Sequence, residues 1–287
     1  MPLCFFVSDL HGQSERYRKL FRLIRGEKPA ALFMGGDILP THLIQQQNTN
    51  RTAEASATEI LIQEFETLRR EMQMHYPAVF LILGNDDAKF EEASLLSAAA
   101  SGLWHYVHNR FVDFLDFRVA GYSYIPPSPF WWKDWERYDV SRYVDPGCIS
   151  PEEGQYSVPV SDYEKRFATI KDDLQKLTGD RDLSQTIFLF HSPPYETVLD
   201  RAALDGKMID FAPLDVHIGS AAIRDLIDKQ QPLITMHGHV HESARITEQW
   251  QQKIGSTYCY SAAHDGPELA LVRFDPKNPS AAKRELI

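Results

Sequence analysis

Short apolar runs alternate with longer amphipathic stretches along most of the chain. The apolar runs are brief and rich in β-branched or aromatic residues, so they predict buried strands. They are "LCFFV" (3–7), "AALFM" (30–34), "AVFLIL" (78–83), "TIFLF" (186–190) and "PLITM" (232–236). Between them, apolar residues recur every third or fourth position over 14–25, 57–72, 162–177 and 220–229, which predicts helices. This alternation is typical of an α/β fold.

Three segments depart from the alternation. After residue 242, "ARIT", "STYCYSA" and "LALVRF" predict three short strands without helices between them, forming an antiparallel portion of sheet. The polar residues 45–52 predict a loop, and an aromatic, proline-bearing segment at about 122–147 predicts an insertion. No composition shift marks a linker, so we expect one domain over residues 1–287.

Composition and charge restrict the partners of the chain. With 287 residues and 43% hydrophobic content, it can bury a full core. Its formal net charge is -10 and its sequence pI is near 5.5, so no general attraction to nucleic acid or to an anionic membrane is expected. A small substrate is the expected partner, and any phosphate chemistry must be local. The oligomeric state is left open.

Cysteine usage and hydropathy indicate the compartment. Cys4, Cys148 and Cys259 are an odd number at unrelated spacings, which favours a reducing environment over a disulfide framework. The chain begins without a basic segment, and its apolar runs stop at about six residues, far short of a membrane-spanning helix. We therefore expect a cytoplasmic protein.

Metal-binding side chains follow each of the five predicted strands. The residues after the strands are "SDLHG" (8–12), "GGD" (35–37), "GNDD" (84–87), "HSPP" (191–194) and "HGHVH" (237–241). Strand ends in an open α/β sheet face the crevice where ligands bind, so these groups can converge. Taken singly, most also suit ordinary turns, helix caps or buried histidines. "GHVH" is more specific, because residues two apart on an extended chain share a face.

Together the five strand ends supply a mixed nitrogen and oxygen set large enough for two divalent ions. In this order, D-x-H, GD, GN, H and GHxH resemble the calcineurin-like metallophosphoesterase superfamily, and single-domain bacterial and archaeal members in particular. The resemblance implies a two-sheet β-sandwich flanked by helices. It assigns Asp9, His11 and His241 to one ion, Asn85, His191 and His239 to a second, and Asp37 to both. His237 has no counterpart and is expected in the core or behind the ligands.

The chain departs from the family pattern at Asp86. The family usually has a histidine there, which is taken to protonate the leaving group. A carboxylate beside two cations should stay ionised at pH 7 and would be a poor general acid. Asp87 matches the acidic residue that follows in the family and is expected to orient its neighbour. His42 and His264 are alternative candidates for the acid.

The resemblance implies hydrolysis of phosphate esters, by a phosphodiesterase or a phosphatase. Two ions roughly 3.5 to 4 Å apart can bind a phosphoryl oxygen and generate hydroxide at neutral pH. Four imidazoles argue against Mg²⁺ and for Mn²⁺, Fe, Co²⁺, Ni²⁺ or Zn²⁺, with Mn²⁺ favoured. Two alternatives remain: a catalytically weak metal-binding scaffold for protein partners, and a nuclease, which the charge disfavours.

The aromatic insertion carries both rings and cations. They are Trp131, Trp132, Trp135, Tyr138, Tyr143, Lys133, Arg137 and Arg142. Such a composition suits an aromatic wall with cations for a phosphate substrate. The alternative, that the rings only pack an extra hairpin, is equally compatible with the sequence.

Overall fold

The computed structural model describes residues 2–41 and 56–287. His42 and the predicted loop at 45–52 therefore lie outside the described residues. In the described part, two six-stranded sheets pack face to face between layers of helices. The predicted α/β sandwich flanked by helices is confirmed.

The strands are numbered in chain order. They are β1 (Cys4–Val7), β2 (Ala31–Gly35), β3 (Ala78–Ile82), β4 (His105–Tyr106), β5 (Phe111–Phe114), β6 (Phe117–Tyr122), β7 (Thr186–Phe190), β8 (Met208–Ile209), β9 (Ala212–Pro213), β10 (Ile234–His237), β11 (Gln251–Ile254), β12 (Thr257–Ser261), β13 (Ala270–Phe274) and β14 (Lys283–Leu286). The first sheet has the order β14-β13-β1-β2-β3-β4, and the second has the order β11-β12-β10-β7-β6-β5. Strands β8 and β9 form a separate small hairpin.

The central strands of both sheets are parallel. In the first sheet β1, β2, β3 and β4 run parallel, and in the second β6, β7, β10 and β12 do. Antiparallel strands lie at the margins, where β13 pairs with β1 and β11 pairs with β12. Because β1, β2 and β3 are parallel, their carboxyl ends lie at one edge of their sheet, and the same holds for β7 and β10 in the other.

Seven helices are assigned in the described residues, beside three short 3₁₀ turns. They are α1 (Ser14–Glu27), α2 (Ala57–Met72), α3 (Glu92–Ala100), α4 (Asp162–Phe167), α5 (Ile170–Thr178), α6 (Ala221–Gln230) and α7 (Ser243–Thr247). Alternate strand residues explain the layering, since Phe6, Phe33 and Phe80 pack between the sheets while Phe5 and Leu32 face helices. None of the described helices is long and apolar enough to cross a lipid bilayer.

The predicted helix at 162–177 is wrong as a single element. Ala168 is extended, and the Thr169 hydroxyl accepts a hydrogen bond from the Asp172 amide at 3.0 Å, which begins a second helix. The Ile170 amide also donates to the carbonyl of Tyr138 at 2.8 Å. The apolar residues recur at helical spacing through the whole segment, but the helix cap at Thr169 and the hydrogen bond to Tyr138 divide it into two helices.

The prediction of three antiparallel C-terminal strands is wrong in two respects: one segment is a helix, and the other two strands lie in different sheets. "ARIT" lies in α7, because the Ser243 hydroxyl donates to the Val198 carbonyl at 2.7 Å and holds this turn against residues 198–201. The two runs that follow do form strands, but β12 belongs to the second sheet and β13 to the first, so they do not pair with each other. Strands β11 and β14 were not predicted, since both are mostly polar and lie at sheet edges.

Candidate metal centre

The loops after five strands meet at one edge of the sandwich. After β1 and β2, the Asp9 amide donates to the carbonyl of Gly36 at 3.0 Å, and the His11 amide donates to that of Asp37 at 2.7 Å. After β7 and β10, the Gly238 amide donates to the carbonyl of His191 at 3.0 Å. The backbone itself therefore joins the strand ends that carry the predicted ligands.

Several of these ligands lie on left-handed backbone, which non-glycine residues seldom adopt. Asp9, His11, Asp37 and His239 have φ values of 56°, 48°, 50° and 71°. Such conformations persist only where the surrounding structure fixes them, and they are concentrated at functional sites. Here they turn successive side chains out of the strand direction and toward a common centre.

Two glycines allow the close packing of this centre. A Cβ atom at Gly84 would lie 2.4 Å from Oδ1 of Asp37 and 2.6 Å from Cε1 of His191. A Cβ atom at Gly238 would lie 2.6 Å from Oδ2 of Asp9. These distances are far below van der Waals contact, so the glycines of "GNDD" and "HGHVH" leave room for the neighbouring ligands.

One cluster consists of Asp9, His11, Asp37 and His241, as the resemblance implies. Each offers one donor atom, and these atoms lie within 4.8 Å of one another. Nε2 of His241 is 3.1 Å from Nε2 of His11 and 3.2 Å from Oδ1 of Asp9. Two imidazoles and two carboxylates around one point form a donor set suited to a divalent transition metal.

A second group adjoins the first through Asp37. Nε2 of His191 lies 3.2 Å from Oδ2 of Asp37 and 3.0 Å from Oδ1 of Asn85. The rings of His191 and His239 are neighbours, with centroids 5.4 Å apart. Nδ1 of His191 faces the carbonyl of Gly35 at 2.8 Å, so its Nε2 is the nitrogen that faces the other donors.

Divalent ions fit the donors that are present. Oδ2 of Asp9 is buried and, among the described residues, has no hydrogen-bond partner. A buried carboxylate oxygen without a partner is unfavourable, and a bound cation would remove this cost. The facing nitrogens of His11 and His241 can share only one hydrogen between them, so at least one lone pair is available for a metal.

Electrostatic interactions hold protons on two of the imidazoles. Burial lowers the pKa of His191, but the charge and hydrogen bond of Asp37, together with the charge of Asp9 and the carbonyl of Gly35, outweigh burial and raise this pKa to about 10. Burial also opposes protonation of His241, whose pKa the hydrogen bond and charge of Asp9 raise to about 9. The pKa of His239 is lowered to about 3, by burial and by the charge of His191. Because a metal binds neutral imidazole, ions would displace the protons from His191 and His241.

Asp86 lies at the centre but faces its open side. Its amide donates to Oδ1 of Asp37 at 2.8 Å, and Oδ2 lies 3.4 Å from Nδ1 of His11. In the chain alone, burial and then the charge of Asp37 raise the pKa of Asp86 to about 7. Divalent cations act in the opposite direction and favour the ionised carboxylate.

Asp87 is buried behind the centre. Its carboxylate accepts hydrogen bonds from the amides of Leu39, Gly84 and Ile38 at 2.7, 2.8 and 3.2 Å. It therefore ties the loop after β2 to the loop after β3, and the orienting role that the resemblance implies for it stays a prediction. Burial, followed by the charge of Asp37, raises its pKa well above the usual range.

The other candidate histidines occupy different places. His42 lies outside the described residues, so its predicted role as an acid stays a prediction. His264 is bound to Glu268 at 2.9 Å and does not line the cavity described below. His237 is fully buried, with ring nitrogens 2.9 Å from the carbonyl of Ser192 and 2.8 Å from Oγ1 of Thr235, so it lies in the core as expected.

A cavity of about 630 Å³ opens from the metal centre. We call its inner side the metal-side wall; it includes Asp37, Asn85, Asp86, His239 and His241. We call its opposite side the outer wall, which comprises the lining residues within 126–148 and 195–221. Sequence reasoning missed most of the second stretch, although the prolines of "IPPSP" and "HSPP" mark where both stretches leave the sheet.

The cations predicted for the aromatic insertion do not line this cavity. Lys133 is buried and paired with Glu136, and Arg137 is paired with Asp173 and Glu164. Arg142 is paired with Glu152. The aromatic rings of the insertion have different locations: Trp135 and Tyr138 are buried, Trp131 is exposed, and Tyr143 lines the cavity. The predicted cationic wall is thus wrong, since its cations serve internal ion pairs.

Comparisons with known proteins concern the family and the fold of the chain. A model of the family described as calcineurin-like phosphoesterase matches residues 4–243. A solved structure of the protein TT1561 from Thermus thermophilus is 15% identical, with a TM-score of 0.54 over 99% of this chain and 98% of that one. A dimetal phosphatase from Danio rerio is 13% identical, with a TM-score of 0.54 over 95% and 91%. Another solved chain, 16% identical, reaches a TM-score of 0.61 over 100% and 99%.

At these identities the likeness to solved structures concerns the fold. Among proteins with curated descriptions, none matches the chain.

Proposed function

This chain belongs to the calcineurin-like phosphoesterase family and is a metal-dependent phosphoesterase, and we propose that it hydrolyses small phosphate esters at a centre of two metal ions. Asp9, His11 and His241 would hold one ion, and Asn85, His191 and His239 the other. Asp37 would bridge them. Four imidazoles in the set favour a transition metal such as Mn²⁺ over Mg²⁺.

The position of Asp37 carries the two-ion proposal. Its carboxylate belongs to the cluster of donors that lie within 4.8 Å of one another, and its Oδ2 is also 3.2 Å from Nε2 of His191. One side chain thus reaches both groups. The amide of Asp86 donates to Oδ1 of Asp37 and fixes the orientation of this carboxylate.

The residues of the centre would position the reacting groups. Bound divalent ions supply charge stabilisation for a phosphoryl oxygen and lower the pKa of water. The open side of the centre faces the cavity, so a phosphate ester would enter with its organic group toward the outer wall. Asp86 would lie beside the departing oxygen with no proton to give while it is ionised. We therefore propose that good leaving groups react fastest.

The expected partner remains a small phosphate ester, and we propose a cytoplasmic location. The three cysteines are free thiols, which supports a reducing compartment. The net charge of -10 speaks against a nuclease.

Metal content and turnover test the proposal together. The metal-stripped protein would be loaded with Mn²⁺, Co²⁺, Ni²⁺ or Zn²⁺, and assayed on aryl, nucleotide, cyclic-nucleotide and lipid phosphates. We expect two ions per chain and hydrolysis with at least one metal. One ion per chain at saturation would contradict the dinuclear centre. Two ions without turnover on any ester would favour the scaffold instead.

A further inference from the structure

The composition of the cavity beyond the metal centre is informative about the substrate. Apolar groups dominate the outer wall; the side chains are Pro126, Pro127, Pro129, Phe130, Val140, Tyr143, Pro146, Ala202, Leu204, Ile209, Leu214 and Ile218. Several are also exposed to solvent, including Phe130, Tyr143 and Ile209. Exposed apolar side chains that surround one opening are typical of a site for an apolar group.

The charged side chains of the outer wall are all acidic. Asp139, Asp145 and Asp215 line the cavity there, Glu242 lines it beside His241 of the metal-side wall, and no lysine or arginine among the described residues lines it. Asp139 caps α6, since its carboxylate accepts from the amide of Ala221 at 2.6 Å. Asp215 accepts from the hydroxyl of Tyr195 at 2.6 Å. Both carboxylates are thus bound to neutral donors, which do not offset a negative charge.

Asp145 and Asp215 are near enough for their charges to repel each other, and a further anion would add to this repulsion. Burial, and after it the charge of Asp215, raises the pKa of Asp145. A second anionic group on a substrate would approach these carboxylates without a counter-ion from the described lining. The outer wall has one imidazole in the described lining, that of His217, and its Nδ1 is already bound to Asp200 at 2.8 Å. An anion in the cavity would therefore depend on ions at the metal-side wall, which a phosphoryl group occupies.

Resting on the proposed function, we infer that the preferred substrate is a phosphate ester whose organic group is apolar and carries no negative charge. The phosphoryl group lies at the metal-side wall, and the organic group fills the cavity against the outer wall. A cavity of about 630 Å³ holds a group much larger than methyl. Nucleotides with further phosphates, and substrates with carboxylates, are disfavoured by the acidic lining.

Diesters with a constant leaving group test this inference. The metal-loaded protein would be given three p-nitrophenyl phosphodiesters whose second ester group is methyl, phenyl or 4-carboxyphenyl. We expect kcat/KM to be about tenfold higher for phenyl than for methyl, because the larger group fills apolar space. We expect the carboxylate to reduce kcat/KM by about tenfold relative to phenyl. Equal values for all three esters would overturn the inference.

Variants with matched controls locate the effect. Asp145→Lys should restore kcat/KM for the 4-carboxyphenyl ester. Asp180→Lys, at an exposed acidic residue away from the cavity, should leave this kcat/KM low. Tyr143→Ala should reduce the advantage of phenyl over methyl, whereas Tyr163→Ala, which removes another exposed ring, should leave it. If both members of a pair behave alike, the outer wall does not select the substrate.

Binding separates this inference from the proposed function. Methylphosphonate, phenylphosphonate and 4-carboxyphenylphosphonate would be titrated calorimetrically into the metal-loaded protein. The same order of affinity without hydrolysis of any ester would uphold the cavity preference while the proposed function fails. Hydrolysis without any preference, in rate or in binding, would overturn the cavity inference alone.

Discussion

The two walls of the cavity are built differently. The metal-side wall consists of strand ends, where backbone hydrogen bonds join loops of the same sheet, side chains such as Asp9 and His191 join the two sheets, and glycines allow the ligands to pack closely. The outer wall consists of longer connections whose rings and carboxylates are exposed around an opening. Rigid elements thus hold the groups for chemistry, and irregular segments hold the groups that contact the rest of the substrate. In such an arrangement, the outer segments can vary and change which substrate binds, while the groups that carry out the reaction stay the same.

The largest expected effect lies in the metal-side wall, at Asp37. Asp37→Asn keeps the shape of the side chain but removes its charge, so both ions should bind more weakly. We expect hydrolysis to fall by roughly 10³-fold and the metal content to fall below two ions per chain. Elemental analysis and an aryl-ester assay measure these quantities.

The control is Asp139→Asn, which changes a carboxylate of the outer wall. Asparagine also caps helices, so the fold should be kept. If Asp37→Asn retained two ions and full activity while the fold was intact, the bridging role would be wrong.

Gly84→Ala should also damage the metal-side wall, through packing alone. The added methyl would lie 2.4 Å from Oδ1 of Asp37, so this ligand or the backbone must move. We expect a loss of about 10- to 100-fold in metal affinity, as for changes in groups that support ligands. Gly26→Ala is the matched control, because no atom lies within 4 Å of the new methyl. Unchanged affinity in Gly84→Ala would mean that the ligands can shift without loss of the ions.

Asp86→His tests the proton donor at the boundary between the walls. An ionised carboxylate cannot protonate an alkoxide, so wild type should prefer aryl to alkyl esters. The histidine should speed alkyl-ester hydrolysis by up to roughly 10²-fold and change aryl esters little. The comparison needs kcat/KM for one aryl and one alkyl ester on both proteins, with metal content checked. If wild type cleaves both alike and the histidine slows both, Asp86 or a nearby histidine is the working acid.

Arg137 lies in the aromatic insertion but does not line the cavity, so a substitution there should affect stability and not substrate binding. Its guanidinium is paired with Asp173 and Glu164 and lies 4.0 Å from the ring centroid of Tyr124. Arg137→Ala should reduce the free energy of unfolding by about 2 kcal/mol, because the partly buried Asp173 loses its counter-ion. Urea unfolding measures this change, and KM for an aryl ester should stay constant. A higher KM in Arg137→Ala than in wild type would mean that the guanidinium contacts the substrate, and it would contradict a purely structural role.

His108 is a buried histidine whose contribution to stability should depend on pH. Its ring packs on Tyr122 and Trp135, and its Nδ1 accepts from the amide of Ser123 at 3.0 Å. Burial, with the charge of Lys89 next, lowers its pKa to about 3. Between that value and the unfolded value near 6.5 the unfolded chain binds more protons, so stability is lost as the pH falls below about 6.5.

The contribution of His108 should be about 1.4 kcal/mol for each pH unit within that window. Urea unfolding at pH 7, 6, 5 and 4 would compare wild type with His108→Gln. In the variant, the free energy of unfolding should fall less steeply with decreasing pH, by a slope that corresponds to at most one bound proton. Parallel curves would contradict the lowered pKa.

The difference between the walls also explains what the sequence could predict. The family resemblance and the sandwich are confirmed. They were predictable because each short apolar run forms a strand, and the polar residues that follow it in sequence lie at the end of that strand in the structure. The fates of Lys133 and Arg137 were not predictable, since their partners Glu136, Glu164 and Asp173 look like ordinary surface charges in sequence. The contribution of residues 195–221 depends on tertiary packing that no local period encodes.

The carboxylate of Asp87 has a dynamic consequence. It accepts from the amides of Ile38 and Leu39 in the loop after β2 and from the amide of Gly84 in its own loop, so the loop after β2 cannot move away from the loop after β3 without breaking two of these hydrogen bonds. These three amides should exchange with solvent deuterium as one cooperative unit, at a rate set by a shared opening. Because Asp37 and Asn85 lie beside these hydrogen bonds, the same bonds would also slow the release of an ion that the two side chains hold.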